Sequence, residues 1–468
     1  MWRIAVVGGG IAGLAAAVRI KDRAAGAAVT VFEQGDVLGG KLRTGELAGS
    51  TVELGAEAFL VRDAATGDDS AAVRLARRVG LGDELVNPAV GSAAIAVEGR
   101  LVAVPRGTLT GVPGDLDAVK TVAAVAAGRD LDGGRPLLGP GDDVAVGELV
   151  RARLGDQVVD RLVDPMLGGV YAGRADRLSL AATMPALARQ ARIEGTLTGA
   201  VKAAQAAFPR APGGAVFATV RGGVSRLVAA AAAASGAEIR PGATVREIAP
   251  AGAGWRLTIG PTRDPEFQTF DAVVLAVPAR PAARLLGGVA AGAAGEVGTL
   301  DYASVALVAL ALPRPDLPEI SGFLVPAETG TAVKAATFFT TKWAHLRRDD
   351  GIALVRASVG RYGEEHVLQR ADDDLVETVY SELSTLVGRP LPKPLATRVQ
   401  RWGGALPQYA PGHLDRVAAA RDALARSHPT LALAGAGYDG VGIPVCVRSG
   451  ETAADAVVAA LENPPRGA

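Results

Sequence analysis

At 468 residues the chain exceeds what one hydrophobic core usually serves, so two or three domains are expected. Lys plus Arg number 49 and Asp plus Glu number 49, and this balance gives no reason to expect a polyanion such as nucleic acid as partner. One cysteine, Cys446, excludes an intrachain disulfide and supplies too little thiolate for a structural zinc or iron–sulfur site, which fits a reducing, cytoplasmic setting.

The first elements carry the strongest signal. An apolar run from Arg3 to Val7 leads into Gly8, Gly10 and Gly13, then a helical stretch through Arg23, then a strand that Glu33 ends. The first glycine permits a tight strand-to-helix turn, the second lets a pyrophosphate approach the backbone, and the third lets helix and strand pack closely. The pyrophosphate then sits at a helix N-terminus, where amides and the dipole favour anions. Glu33, placed to accept hydrogen bonds from a ribose diol, would repel the extra phosphate of NADP. Residues 1–20 lack the basic n-region of a signal peptide and read as folded sequence. No charge-free stretch suggests a spanning helix.

Farther on, residues 38–44 and 52–60 are short extended runs with turn glycines, 70–80 read as helix, and 93–104 as a hairpin. Residues 114–210 are alanine-rich and helix-compatible, broken by the Pro/Gly tract 132–141 and by the segment 164–173. The apolar surface around 114–128 reads as core, with a peripheral membrane contact left open. A helix opening near 220–228 is closed by Gly236, a strand runs to Arg240, and 271–278 is a buried strand ended by proline. Apolar strands between 303 and 400, with a helix near 372–387, predict a mostly antiparallel sheet. A second glycine pattern, Gly435, Gly437 and Gly440, precedes a helix expected over 449–461. Its strand and helix are expected to join the first sheet, the helix aiming its N-terminus, with Ser449 and Gly450, at the cofactor.

With these pieces in order, the chain resembles the amine oxidase and protoporphyrinogen oxidase superfamily of FAD enzymes, and within it the oxygen-dependent coproporphyrinogen III oxidases of Gram-positive bacteria. The glycine turn at 8–13, Gly39 with Gly40, and the C-terminal glycine turn carry the superfamily likeness. GlyGlyValTyrAlaGly at 168–173 with LeuSerLeu at 178–180, and the segments 334–346 and 437–450, carry the narrower one. The resemblance implies an α/β fold: a discontinuous Rossmann-like FAD-binding domain (1–90, 214–295, 401–468), an inserted helical domain (91–213) and an antiparallel-sheet substrate domain (296–400). It also implies a cofactor site. Gly8, Gly9, Gly10, Ile11, Ala12 and Gly13 would surround the pyrophosphate, and Glu33 with Gln34 the adenosine ribose. Gly40, Lys41 and Arg43 would lie near the phosphates or flavin, and Gly55, Ala56, Glu57 and Ala58 would pass the flavin edge. Val245 would offer backbone to the adenine, Trp402 would lie near the flavin, and Val441, Gly442 and Ile443 would line its ribityl end.

The implied reaction strips hydride from the saturated bridges of a porphyrinogen to flavin three times, with O2 as acceptor and H2O2 as by-product. Such chemistry needs orientation more than a strong acid or base. The four histidines, His345, His366, His413 and His428, sit in no catalytic motif and read as surface or packing residues. Cys446 reads as structural rather than as a flavin link. No metal site is expected, and which residue, if any, assists proton removal is left open. Arg62, Lys334, Lys342 and Arg361 are candidates to meet the propionates of a tetrapyrrole, each also readable as a solvated surface charge. Protoporphyrinogen IX as substrate, an amine oxidase or desaturase of the same fold, and a non-enzymatic flavoprotein partner in the haem pathway stay open as alternatives.

Overall fold

The computed structural model describes residues 1–63, 66–207 and 214–463. Five parallel strands form the first sheet, in the order Glu238–Arg240, Ala28–Phe32, Arg3–Val7, Ala272–Leu275 and Leu431–Leu433. Segments distant in sequence thus share one sheet, as the C-terminal strand pattern implied. Near-continuous apolar runs suit strands covered on both faces. Ile4, Val6, Ala272 and Val274 pack under the helices Ile11–Arg23 and Ile443–Glu462, while Ala5, Val7, Val273 and Leu275 pack against a three-stranded meander over 245–270 and the helices around it.

The helices Ile11–Arg23 and Ile443–Glu462 cross closely. A Cβ on Gly450 would fall 2.0 Å from the Ala12 carbonyl oxygen, so only glycine fits there. Arg19 forks onto Asp455 across the same contact at 2.9 and 3.0 Å. The last helix therefore starts at Ile443, six residues before the expected 449, and Ser449 and Gly450 lie inside it rather than at its N-terminus. Gly442, at φ +106, precedes its first turn and Pro444 lies within it, so residues that read as breakers mark a start.

A second sheet of seven strands runs Ala396–Gln408, Asp301–Pro313, Ile352–Val359, Val333–Phe338, Gly322–Leu324, Ala94–Val97 and Arg100–Ala103. Every pair is antiparallel except Gly322–Leu324 with Ala94–Val97. The hairpin 94–103, expected with the helical insertion, and residues 401–408, expected with the first sheet, both belong here, because their backbone edges complete this ladder. Along Asp301–Pro313, Ala306, Val308, Leu310 and Leu312 face Leu375, Val379, Leu383 and Val387, one stripe of the helix Asp372–Val387. Ala309 and Ala311 point the other way, toward the hairpin Thr44–Leu47/Ser50–Glu53.

Among the described residues the helical region spans 146–207. Its helices Val146–Leu154, Asp164–Tyr171, Pro185–Ala191 and Leu197–Ala207 bury Val150, Leu167, Leu187 and Val201 in one cluster. Residues 114–145, expected as helix-compatible, hold only two short 3₁₀ turns, at 117–119 and 127–129. Their prolines, glycines and aspartates outweigh the alanines. Val119, Val122 and Ala123 are nevertheless core. Among the described residues no helix is long and apolar enough to cross a membrane.

Candidate cofactor and substrate site

The glycine turn is built as its mechanics demand. Gly8 sits at φ +111, and a Cβ there would fall 2.5 Å from the Ala276 carbonyl oxygen; one on Gly13 would fall 2.0 Å from the Gly8 carbonyl oxygen. Gly10 is different. A Cβ on it would meet nothing within 4 Å, and no side chain caps the helix that follows, so bare backbone and free amides face open space. That is a cradle into which an anionic group fits. Ile11 and Ala12 are buried and anchor the helix. Gly9 donates to the Glu33 carboxylate at 2.9 Å and Gly35 donates to its other oxygen at 2.8 Å. Each oxygen keeps a lone pair for a hydroxyl donor. Gln34 is exposed beside it. Ala243 donates to the Glu33 carbonyl at 2.8 Å, which sets the buried Val245 at the edge of this turn.

The segment after the second strand closes over the cradle. Gly39 donates to the Gly9 carbonyl at 2.8 Å, and Gly40, at φ +57, leads into Lys41 and Arg43. Burial lowers the Lys41 pKa, and among the described residues no carboxylate pairs with it. Arg43 lies 5.8 Å from the Trp402 ring, and the Trp402 indole donates to the Leu54 carbonyl at 2.6 Å. Gly55 packs so tightly that a Cβ would fall 2.0 Å from the Lys41 carbonyl oxygen, and Ala56 donates to that oxygen at 3.0 Å. Lys41, Arg43, Gly55, Ala56 and Trp402 are therefore one cluster.

Glu57 and Lys342, assigned separately to cofactor and substrate, meet in a buried ion pair. Arg356 completes it, donating to Glu57 at 2.6 Å and to the carbonyls of Glu53 and Gly55 at 2.7 and 2.9 Å. Burial alone would raise the Glu57 pKa, but Lys342 and Arg356 overcome it and hold the carboxylate ionised. The Lys342 ammonium is thus occupied by the protein itself. Sequence reasoning missed Arg356; its signal was one charge in an apolar strand, 352–359. Neighbouring Glu53 is pushed up to about 7 by burial, against hydrogen bonds from Val224 and Thr44. Ala58 is half-buried next to these groups.

The other candidates separate. Arg62 is a surface residue paired with Asp69 at 3.2 Å, its side chain 65% exposed. Lys334 and Arg361 are 5% and 6% exposed and share a pocket with Asp164, Pro165, Gly168, Gly173 and Val325. Arg361 donates to the carbonyls of Thr331 and Val325 at 2.8 and 3.2 Å. Lys334 donates to the Gly168 carbonyl at 3.2 Å, and burial followed by the charges of Arg361 and Arg356 lowers its pKa to about 7.

The segment 164–173 frames this pocket. A five-residue π turn, Val159–Val163, feeds the helix Asp164–Tyr171, which Ala172 ends at φ +51. Tyr362 donates to the Ala172 carbonyl at 2.7 Å and Gln408 to the Tyr171 carbonyl at 2.8 Å, tying the turn to the seven-stranded sheet. Ala172 packs with Ala303, Val305, Ala405 and Trp402.

At the far end Val441 packs against the helical cluster, Gly442 faces open space, and Ile443 is buried. Burial pushes the Cys446 thiol up to about 11, so it stays protonated near neutrality. His413 is buried against Tyr409, its pKa lowered to about 4, and His428 packs on Trp255. Among the described residues no group of three metal-ligating side chains is assembled.

Comparison with known proteins accords with this geometry. The model of a family described as flavin containing amine oxidoreductase matches residues 11–458. A protein of Mycobacterium tuberculosis named coproporphyrinogen III oxidase is 37% identical over 98% of this chain and 97% of its own length. A Bacillus subtilis protein of the same name is 30% identical over 96% of both. A crystal structure from Exiguobacterium, provisionally described as a protoporphyrinogen oxidase, superposes with a TM-score of 0.84 at 30% identity, over 99% of each chain. With a family match over residues 11–458 and a full-length relative at 37% identity, the chain belongs to the flavin-containing amine oxidoreductase family.

Proposed function

We propose that the chain is an FAD-dependent oxidase that converts coproporphyrinogen III to coproporphyrin III in haem biosynthesis. The full-length likeness to bacterial coproporphyrinogen III oxidases carries this reading. Six electrons and six hydrogens leave the macrocycle in three equal steps, and three O2 become three H2O2. FAD, when bound, supplies the two-electron acceptor.

The chain's own residues do the rest. The backbone at Gly10 to Gly13 and the uncapped helix start would receive the pyrophosphate, and Glu33 would accept the ribose hydroxyls. Lys41 lies where its charge can meet phosphate or flavin. The pinned indole of Trp402 and the tight turn at Gly55 would offer the bound flavin a fixed wall. The cytoplasm suits Cys446, whose burial keeps it a thiol.

Oxygen uptake and porphyrin fluorescence, followed with coproporphyrinogen III and protoporphyrinogen IX side by side, test the reading. A clear preference for the tetra-carboxylated substrate is expected. Flavin bleaching by amines alone, or no oxygen consumption with either porphyrinogen, overturns it.

A further inference from the structure

Lys334 is the one candidate cation whose charge the surrounding protein leaves unanswered. It is 5% exposed, yet among the described residues its ammonium makes a single hydrogen bond, to the Gly168 carbonyl at 3.2 Å. An ammonium has three protons to donate. The carboxylates nearby are committed elsewhere: Asp164 to Arg174 and the Ala175 amide, Glu364 to Arg174 at 2.5 Å and to Arg361 at 3.7 Å. The charges that act most on Lys334 are both positive, Arg361 and Arg356. Burying such a group costs several kcal/mol unless an anion joins it.

The pocket also has a direction. Lys334 touches the segment 164–173 at Gly168, and Trp402 lies with Ala172 at the segment's other end. Between them Gly169 and Val170 are exposed, Val170 by 49%, although Leu167 and Tyr171 on the same helix are buried. Trp402 pairs with Val305, Ala306 with Val359, and Val359 with Val333, so three strand spacings of about 4.8 Å separate Trp402 from the Lys334 position, on the order of 14 Å. That is the scale of a tetrapyrrole measured from a reacting bridge to a carboxylate on its far side.

We propose that the pocket around Lys334 is a carboxylate subsite: its ammonium receives one propionate of the substrate, and the macrocycle lies along Gly169 and Val170 toward Trp402. This rests on the tetrapyrrole reading above. Arg361 acts as a positioning residue, holding the backbone at Val325 and Thr331 that forms the pocket wall.

The test uses the whole flavin-loaded protein and equilibrium binding. Coproporphyrin III and etioporphyrin III, which carries ethyl groups where the propionates stand, are titrated by fluorescence into wild type, Lys334→Met and Lys334→Gln. Glutamine keeps a donor for the Gly168 carbonyl and drops the charge. The expected result is a loss of roughly 10- to 100-fold in coproporphyrin affinity in both variants, with etioporphyrin affinity unchanged. Equal weakening of both ligands, or unchanged coproporphyrin binding, overturns the subsite. If Lys334→Met does not accumulate folded with its flavin, Lys334→Gln decides by the same two titrations. Wild type that oxidises neither porphyrinogen defeats the functional reading, whereas an active wild type with a non-selective Lys334 variant defeats only the subsite.

Discussion

Two groups of buried cations lie on or beside the same seven-stranded sheet and are treated oppositely. Lys342 and Arg356 share the carboxylate of Glu57, and the other terminal nitrogen of Arg356 donates to two carbonyls. Lys334 has a carbonyl and two like charges. The first group is complete without any ligand and clamps the segment 53–57 to the sheet. The second is electrostatically incomplete, which is a stability cost that a binding site tolerates and a structural ion pair does not.

The most severe way to break this contrast is to make the first group resemble the second. Glu57→Gln strands two buried cations, and unfolding by denaturant should show a loss of about 3–5 kcal/mol together with weaker flavin retention. The converse change, Lys334→Met, removes the unanswered charge and should raise stability by about 1–4 kcal/mol while it impairs ligand binding. A pH series sharpens that result. Lys334 titrates near 7 when folded and near 10.5 when unfolded, so the unfolded chain holds more protons between those values, and wild-type stability gains from this group as pH rises through that window. Lys334→Met should lack the gain.

Glu53 runs the other way. Its folded pKa of about 7 exceeds the ordinary 4.5, so its contribution is greatest in acid and falls as pH rises between the two. Glu53→Gln should flatten that decline in a comparison of denaturation midpoints at pH 5 and pH 8. Arg62→Ala, at an exposed pair, should change stability by less than about 0.5 kcal/mol.

The glycine turn, the strand that Glu33 follows and the helix over 372–387 were legible because each is set by local chemistry: φ, close approach, or a repeating apolar stripe. The helix start at Ile443 was not, since Gly442 and Pro444 are breakers inside a helix and starters at its end, and composition does not tell the two apart. The ion cluster was equally hidden. Glu57 and Arg356 are 299 residues apart, and nothing in either neighbourhood names the other. The same distance in sequence hid the fact that Lys342 was already spoken for, whereas the burial of Lys334 became visible only when the segment 164–173 was laid across its strand.

The crossing of the helices Ile11–Arg23 and Ile443–Glu462 at Gly450 has a consequence for biosynthesis. The helix that braces the glycine turn emerges from the ribosome about 430 residues after it, on the order of 20–90 s at ordinary translation rates. Until then one face of the nascent helix lacks its partner, so prosthetic-group capture must be a late event in the life of the polypeptide.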